Sequence, residues 1–127
     1  MDESFIRMQM TPGDLRRLTA AFYRGVRTDD LIGPMYPEQD FAAAEERLGD
    51  FLCFRLLGET KYTEERGHPR LRMRHAPFSI GLAERDRWLA LMGAAVDECT
   101  VPEPAATVLR AFFAQVADFM RNREEPA

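Results

Sequence analysis

Apolar side chains recur along this chain at intervals of three and four, and that helical rhythm limits the fold more than any other feature. In residues 12–27, Leu15, Leu18, Phe22 and Val26 form one stripe, with Tyr23 at its edge. Thr11 can cap that helix, Pro12 suits its first position, and Asp14 favours its positive end. A second helix is predicted from Asp40, its cap, to Gly58, with Phe41, Ala44, Leu48, Phe51 and Leu52 on one face. A third, over 82–99, turns Trp88, Leu89, Met92, Ala95, Val96 and Cys99 inward. A fourth, over 104–122, does the same with Leu109, Phe112, Phe113, Val116 and Met120. Val and Ile together number 8 against 28 for Ala and Leu, which also favours helix over sheet. The expected fold class is all-α.

The connections are as telling. DDLIGPMYPEQD, residues 29–40, carries two prolines and a glycine, so it reads as a tight corner or short helical turns. Residues 59–70 are polar and irregular, and a short element over 70–75 is stopped by Pro77. A chain of 127 residues fits one domain, here 1–127, with 1–10 as an N-terminal extension and 123–127 as a frayed tail. Hydrophobic residues at 46% and charged residues at 30% place it among soluble globular proteins. The longest uncharged stretch, 88–96, is too short to span a bilayer, and MDESFIR shows no secretory signal. No membrane association and a cytoplasmic, reducing location are therefore expected, with Cys53 and Cys99 as passive thiols. The net charge of −4 argues against nucleic-acid binding, although Arg66, Arg70, Arg72 and Arg74 cluster without an intervening acid.

Several chemistries are excluded by residue type. Ser4 and Ser79 are the only serines, and neither lies in a nucleophile-elbow turn. Phosphate-binding and dinucleotide-binding glycine loops are absent, and two His and two Cys show no zinc spacing. Glu45–Glu46 and Glu64–Glu65 read as solvated faces. What remains is His68 and His75 in GHPRLRMRHAPF. His75 sits among Leu71, Met73, Ala76 and Phe78, which suits either a structural imidazole or a haem ligand, because one proximal His in an apolar pocket can hold haem iron. Flanking arginines suit the two haem propionates by charge and by forked geometry, or else form a solvated loop. Tyr23, Tyr36 and Trp88 lie on three different segments beside apolar stripes. They are either ordinary core aromatics or three hydrogen-bond donors converging on a greasy pocket.

These residues resemble a truncated haemoglobin of group II, the short globin family with a two-over-two helical sandwich enclosing haem. The resemblance rests on AFYRGV (21–26), MYPEQD (35–40), AEERL (44–48), GHPRLRMRHAPF (67–78) and ERDRWL (84–89), in family order over roughly residues 12 to 122. It implies haem b, with His75 as proximal iron ligand and Tyr23, Tyr36 and Trp88 as the distal polar set. It also implies haem contacts from Leu48, Phe51, Leu71, Phe78, Ile80 and Met92, with Arg47, Arg74 and Tyr62 toward the propionates. Ala44 stands where many globins carry a distal His or Gln. His68 reads as a loop residue. The chain departs from the family's glycine pairs, with MQMTPGD before the first long helix and only Gly58 in LLGETKY.

The function this resemblance implies is O₂ binding at a five-coordinate iron, with the ligand stabilised by Trp and Tyr hydrogen bonds; CO, NO and peroxide are the other candidate ligands. The alternative is a haem enzyme, performing NO dioxygenation or peroxidase-type chemistry with an external reductase. A sensor module ranks below both, since no output domain is visible.

Overall fold

The computed structural model describes residues 3–36, 40–59, 75 and 78–122. Among the described residues the helices are α1 (Ser4–Gln9), α2 (Pro12–Val26), α3 (Phe41–Leu57), α4 (Leu82–Glu98) and α5 (Ala105–Phe119), with a 3₁₀ turn over Gly33–Met35. Among the described residues there is no strand. Helix α2 packs on both α3 and α4, and α4 packs on α5, so two helix pairs meet through α2 and α4.

The ends of the helices follow from local chemistry. Thr11 and Asp14 form a reciprocal capping box: the Thr11 hydroxyl accepts from the Asp14 amide at 3.1 Å, and the Asp14 carboxylate accepts from the Thr11 amide at 2.8 Å. Asp40 caps α3 by accepting from the Ala43 amide at 3.2 Å. Gly58 ends α3 with φ of 78°, a left-handed conformation that any Cβ would strain. The corner after α2 closes tightly. A Cβ on Gly33 would stand 2.7 Å from the Val26 carbonyl oxygen, so only glycine lets the 3₁₀ turn fold back onto the end of α2.

The apolar stripes face one core. Leu15, Leu18, Phe22 and Val26 of α2 are buried with Leu52 and Leu56 of α3, Met92 and Val96 of α4, and Leu109 and Phe113 of α5. One ion pair ties α2 to α3 from within: Arg16 donates to Asp50 at 2.6 Å, and the Asp50 side chain is wholly buried. A second pair, Arg87 to Asp29 at 2.6 Å, ties α4 to the corner that follows α2. Asp29 also accepts from the Leu31 and Ile32 amides at 3.0 and 2.9 Å. Desolvation pushes the Asp29 carboxyl up, but those amides and Arg87 outweigh it and hold the carboxyl below its ordinary value.

The N-terminal stretch is more than an extension, because residues 4–9 form α1 and pack on α3 and α5. Ile6 is fully buried. The Gln9 carboxamide reaches the start of α5, where it accepts from the Ala105 amide at 2.9 Å and donates to the Glu103 carbonyl at 3.0 Å. It thereby satisfies an orphan donor that Pro104, the residue at the cap position, cannot. Ile6→Ala is expected to lower unfolding free energy by about 2–4 kcal/mol, the scale of a core truncation, measured by urea denaturation. A change below about 0.5 kcal/mol would mean that α1 is only an appendage.

Candidate functional site

Between the helix pairs lies a cavity of about 320 Å³. Its walls are contributed by α2 (Tyr23), the corner (Ile32, Met35, Tyr36), α3 (Ala44, Arg47, Leu48, Phe51), the stretch before α4 (His75, Phe78, Ile80), α4 (Glu84, Arg85, Trp88) and α5 (Val116, Ala117, Met120). The lining is mostly apolar, which is the usual character of a small-molecule site with a few placed polar groups.

Three of those polar groups are aromatic and mutually braced. Tyr23, only 5% exposed, packs edge-on against Phe22 at 4.9 Å between centroids, and Phe22 lies 5.2 Å from Trp88. Trp88 in turn meets Phe113 at 5.6 Å. Tyr23 and Tyr36 meet edge to face at 5.6 Å, with their hydroxyl oxygens 3.3 Å apart. Tyr36 then leans on Phe41, at 5.5 Å. Each ring is held on more than one side, so the donors are fixed before any ligand arrives.

Burial pushes the Tyr23 hydroxyl far above the ordinary tyrosine value, and the neighbouring Tyr36 pushes it further. Burial also raises Tyr36, against smaller opposing effects from Tyr23 and Arg47. Both phenols are therefore neutral donors across the physiological range.

His75 lines the same cavity and meets Phe78 edge to face at 6.4 Å between centroids. The segment that carries it is tied to the end of α5. Asn122 Nδ2 donates to the carbonyl oxygens of His75 (3.1 Å) and Phe78 (2.7 Å), while its Oδ1 accepts from the Ile80 amide at 2.8 Å. Among the described residues, Arg47 and Arg85 are the arginines on the cavity wall. Arg85 is already paired with Asp86 at 2.8 Å and Asp118 at 2.9 Å.

Of the residues singled out from sequence, Tyr23, Tyr36, Trp88, Arg47, Leu48, Phe51, His75, Phe78 and Ile80 come together around this one cavity. Met92 does not. It is 1% exposed and lines a second cavity, of about 230 Å³, between α4 and α5 with Leu89, Val96 and Phe113. Met92, four residues beyond Trp88, shares its side of α4 but lies about 6 Å further along the axis, which takes it past the first cavity. Tyr62, Leu71 and Arg74, with His68 and the arginines at 66, 70 and 72, lie outside the described residues. Sequence reasoning missed Ile32, Met35, Glu84, Arg85, Val116, Ala117 and Met120 as wall residues. Val116 and Met120 were legible as inward positions of the last helix. Glu84 and Arg85 sit within the ERDRWL motif but gave no sign of facing a cavity. Among the described residues, no cluster of three or more His, Cys, Asp or Glu could hold a metal by itself.

The bacterial-like globin family matches residues 11–122. This chain is a bacterial-like globin. It is 40% identical over 83 residues, 65% of its length, to the group 2 truncated haemoglobin YjbI of Bacillus subtilis; there it spans 62% of that protein's own length. Among solved structures, it is similar to a thermostable haemoglobin from Thermobifida fusca, with a TM-score of 0.86 and 46% identity. That match covers 90% of this chain and 93% of the other. It is also similar to a truncated oxygen-avid haemoglobin from Bacillus subtilis, with a TM-score of 0.80 and 34% identity, covering 85% of this chain and 91% of the other. The expected group II truncated haemoglobin and its two-over-two helical fold therefore hold. Globin membership implies haem as the cofactor. The donor set fits it: one imidazole, two phenols and an indole on a mostly apolar wall that also carries Arg47, Glu84 and Arg85.

The raised phenol values set an alkaline limit on this globin. Above the ordinary tyrosine value of 10.0, the unfolded chain releases phenol protons that Tyr23 and Tyr36 retain when folded. The unfolded state then binds fewer protons, so stability present below that pH falls as pH rises beyond it. Tyr23→Phe is expected to make this alkaline decline shallower, read as unfolding free energy against pH from 9 upward. An unchanged slope would contradict burial of the Tyr23 phenol.

Proposed function

We propose that this globin binds O₂ in the cavity beside haem b held by His75, with Tyr23, Tyr36 and Trp88 as the donors that retain the ligand. The observation that carries this reading is the convergence of all four side chains on one cavity. The description of the Bacillus subtilis relative as oxygen-avid, at 34% identity, supports the choice of ligand. Haem iron, when bound, supplies the coordination position at which a diatomic molecule can be held.

The chain's own residues do the rest. The 3.3 Å contact between the phenols engages one hydroxyl as donor to the other. That leaves one phenol hydrogen and the Trp88 Nε1–H as donors to a ligand at any instant, two rather than three. Burial makes each of them count, because apolar walls exclude the water that would compete for the same ligand atom. Phe22 and Phe113 fix the indole plane, so Nε1 need not be reoriented when the ligand enters. CO, a poorer acceptor than O₂, gains less from these donors.

Ala44 offers no acid or base at its place on the α3 wall, so peroxide cleavage would have to draw on another wall residue. Arg47, beside the phenol pair, is the propionate partner within the described wall. NO dioxygenation with an external reductase would use the same cavity, and stopped-flow mixing of the O₂-loaded protein with NO distinguishes that activity from storage or carriage.

Two measurements test this reading. The purified chain should show a Soret band that shifts under CO after reduction, and His75→Ala should lose or alter it. Trp88→Phe should speed O₂ release by roughly 5- to 150-fold, the kinetic counterpart of losing about 1–3 kcal/mol of hydrogen bonding. An unchanged release rate would remove Trp88 from the mechanism.

A further inference from the structure

We infer that Asn122, just beyond α5, is a positioning residue for His75: its carboxamide clasps the backbone that carries the imidazole and so sets how that imidazole is presented to the iron. The inference rests on the reading of His75 as the iron ligand.

The geometry is specific to this side chain. Asn122 Nδ2 uses its two hydrogens on two carbonyls, those of His75 at 3.1 Å and Phe78 at 2.7 Å. Oδ1 accepts from the Ile80 amide at 2.8 Å, and the Asn122 amide donates back to the Ile80 carbonyl at 2.9 Å. Four hydrogen bonds thus join Asn122, three residues beyond α5, to four backbone groups of His75, Phe78 and Ile80. A further bond runs from the Phe78 amide to the His75 carbonyl at 3.0 Å. The His75 carbonyl therefore accepts from both Phe78 and Asn122.

This pattern needs a side chain with two donors and an acceptor at that reach, which selects a carboxamide. Aspartate keeps the acceptor for Ile80 but turns a lone pair toward two carbonyls. Serine is too short to serve both sides. Asn122 is exposed as a residue, so its place is not explained by filling the core. Ile80, the residue it pairs with on both sides, is buried and lines the haem cavity with His75 and Phe78. The clasp therefore fixes three wall residues at once. By contrast, Tyr23, Tyr36 and Trp88 are braced by aromatic contacts that do not involve Asn122. Changes at Asn122 should be felt at His75 and not at the donors.

The test uses the full haem-loaded chain with Asn122→Ala, Asn122→Asp and, as a control, Gln115→Gly, an exposed position that weakens α5 without touching the clasp. The readouts are the iron–histidine stretching band of the reduced, ligand-free protein, the rate of haem transfer to an apoglobin acceptor, and the C–O stretching band of the CO complex. Both Asn122 variants are expected to shift or broaden the iron–histidine band and to release haem about tenfold faster, the scale of losing neutral hydrogen bonds, while the C–O band stays in place. Gln115→Gly should lower Tm and leave the iron–histidine band alone. If the Asn122 variants lower Tm yet keep the wild-type iron–histidine band and haem-release rate, the clasp is only a helix anchor and the inference falls. Should Asn122→Ala fail to fold, Asn122→Asp, which keeps the bond from Ile80, decides alone. His75→Gly separates the two levels: if it leaves the iron–histidine band intact, the assignment of His75 fails, independently of Asn122.

Discussion

Phe22 is the side chain on which the cavity depends. It is fully buried, it touches Tyr23 on its own helix, and it touches Trp88 across the α2–α4 contact. An apolar ring in that position solves two problems together. It joins the helix pairs through dispersion and exclusion of water, and it holds two polar-tipped aromatics upright at the edge of the core. Without it, a phenol and an indole facing a cavity would rotate toward whatever partner they could reach. The polar function of the site is thus an outgrowth of ordinary apolar packing.

That coupling explains which parts were legible in the sequence. The four long helices could be read because capping and periodicity are local: Thr11 with Asp14, Asp40 before α3 and Gly58 after it each act within a few residues of themselves. Their observed ends lie within about three residues of expectation. The site was legible in kind through GHPRLRMRHAPF and the scattered polar aromatics, since these residue types are uncommon on an apolar face. Their convergence was not. The meeting of Tyr23 with Tyr36 depends on how Gly33 lets the corner fold back, and that of Phe22 with Trp88 on how α2 lies on α4.

The misses share the same cause. Met92 shares the inward side of α4 with Trp88, but one turn along the axis suffices to move a side chain from cavity wall to interhelical packing. The first ten residues offered too short a pattern for periodicity to register, and α1 is set instead by contacts with α3 and α5, remote in sequence. Asn122 gave no local signal whatever, because its partners lie more than forty residues away.

The Gln9 contact has a consequence for how such a chain is made. The amide that its carboxamide caps belongs to a residue 96 positions later. During synthesis at roughly 5–20 residues per second, Gln9 has left the ribosome for several seconds or more before Ala105 exists. Through that interval the apolar side of α1, Ile6 included, has no completed surface to cover it. Helix α1 is therefore made early and settles late, because the surface that covers it is complete only once α5 has been synthesised.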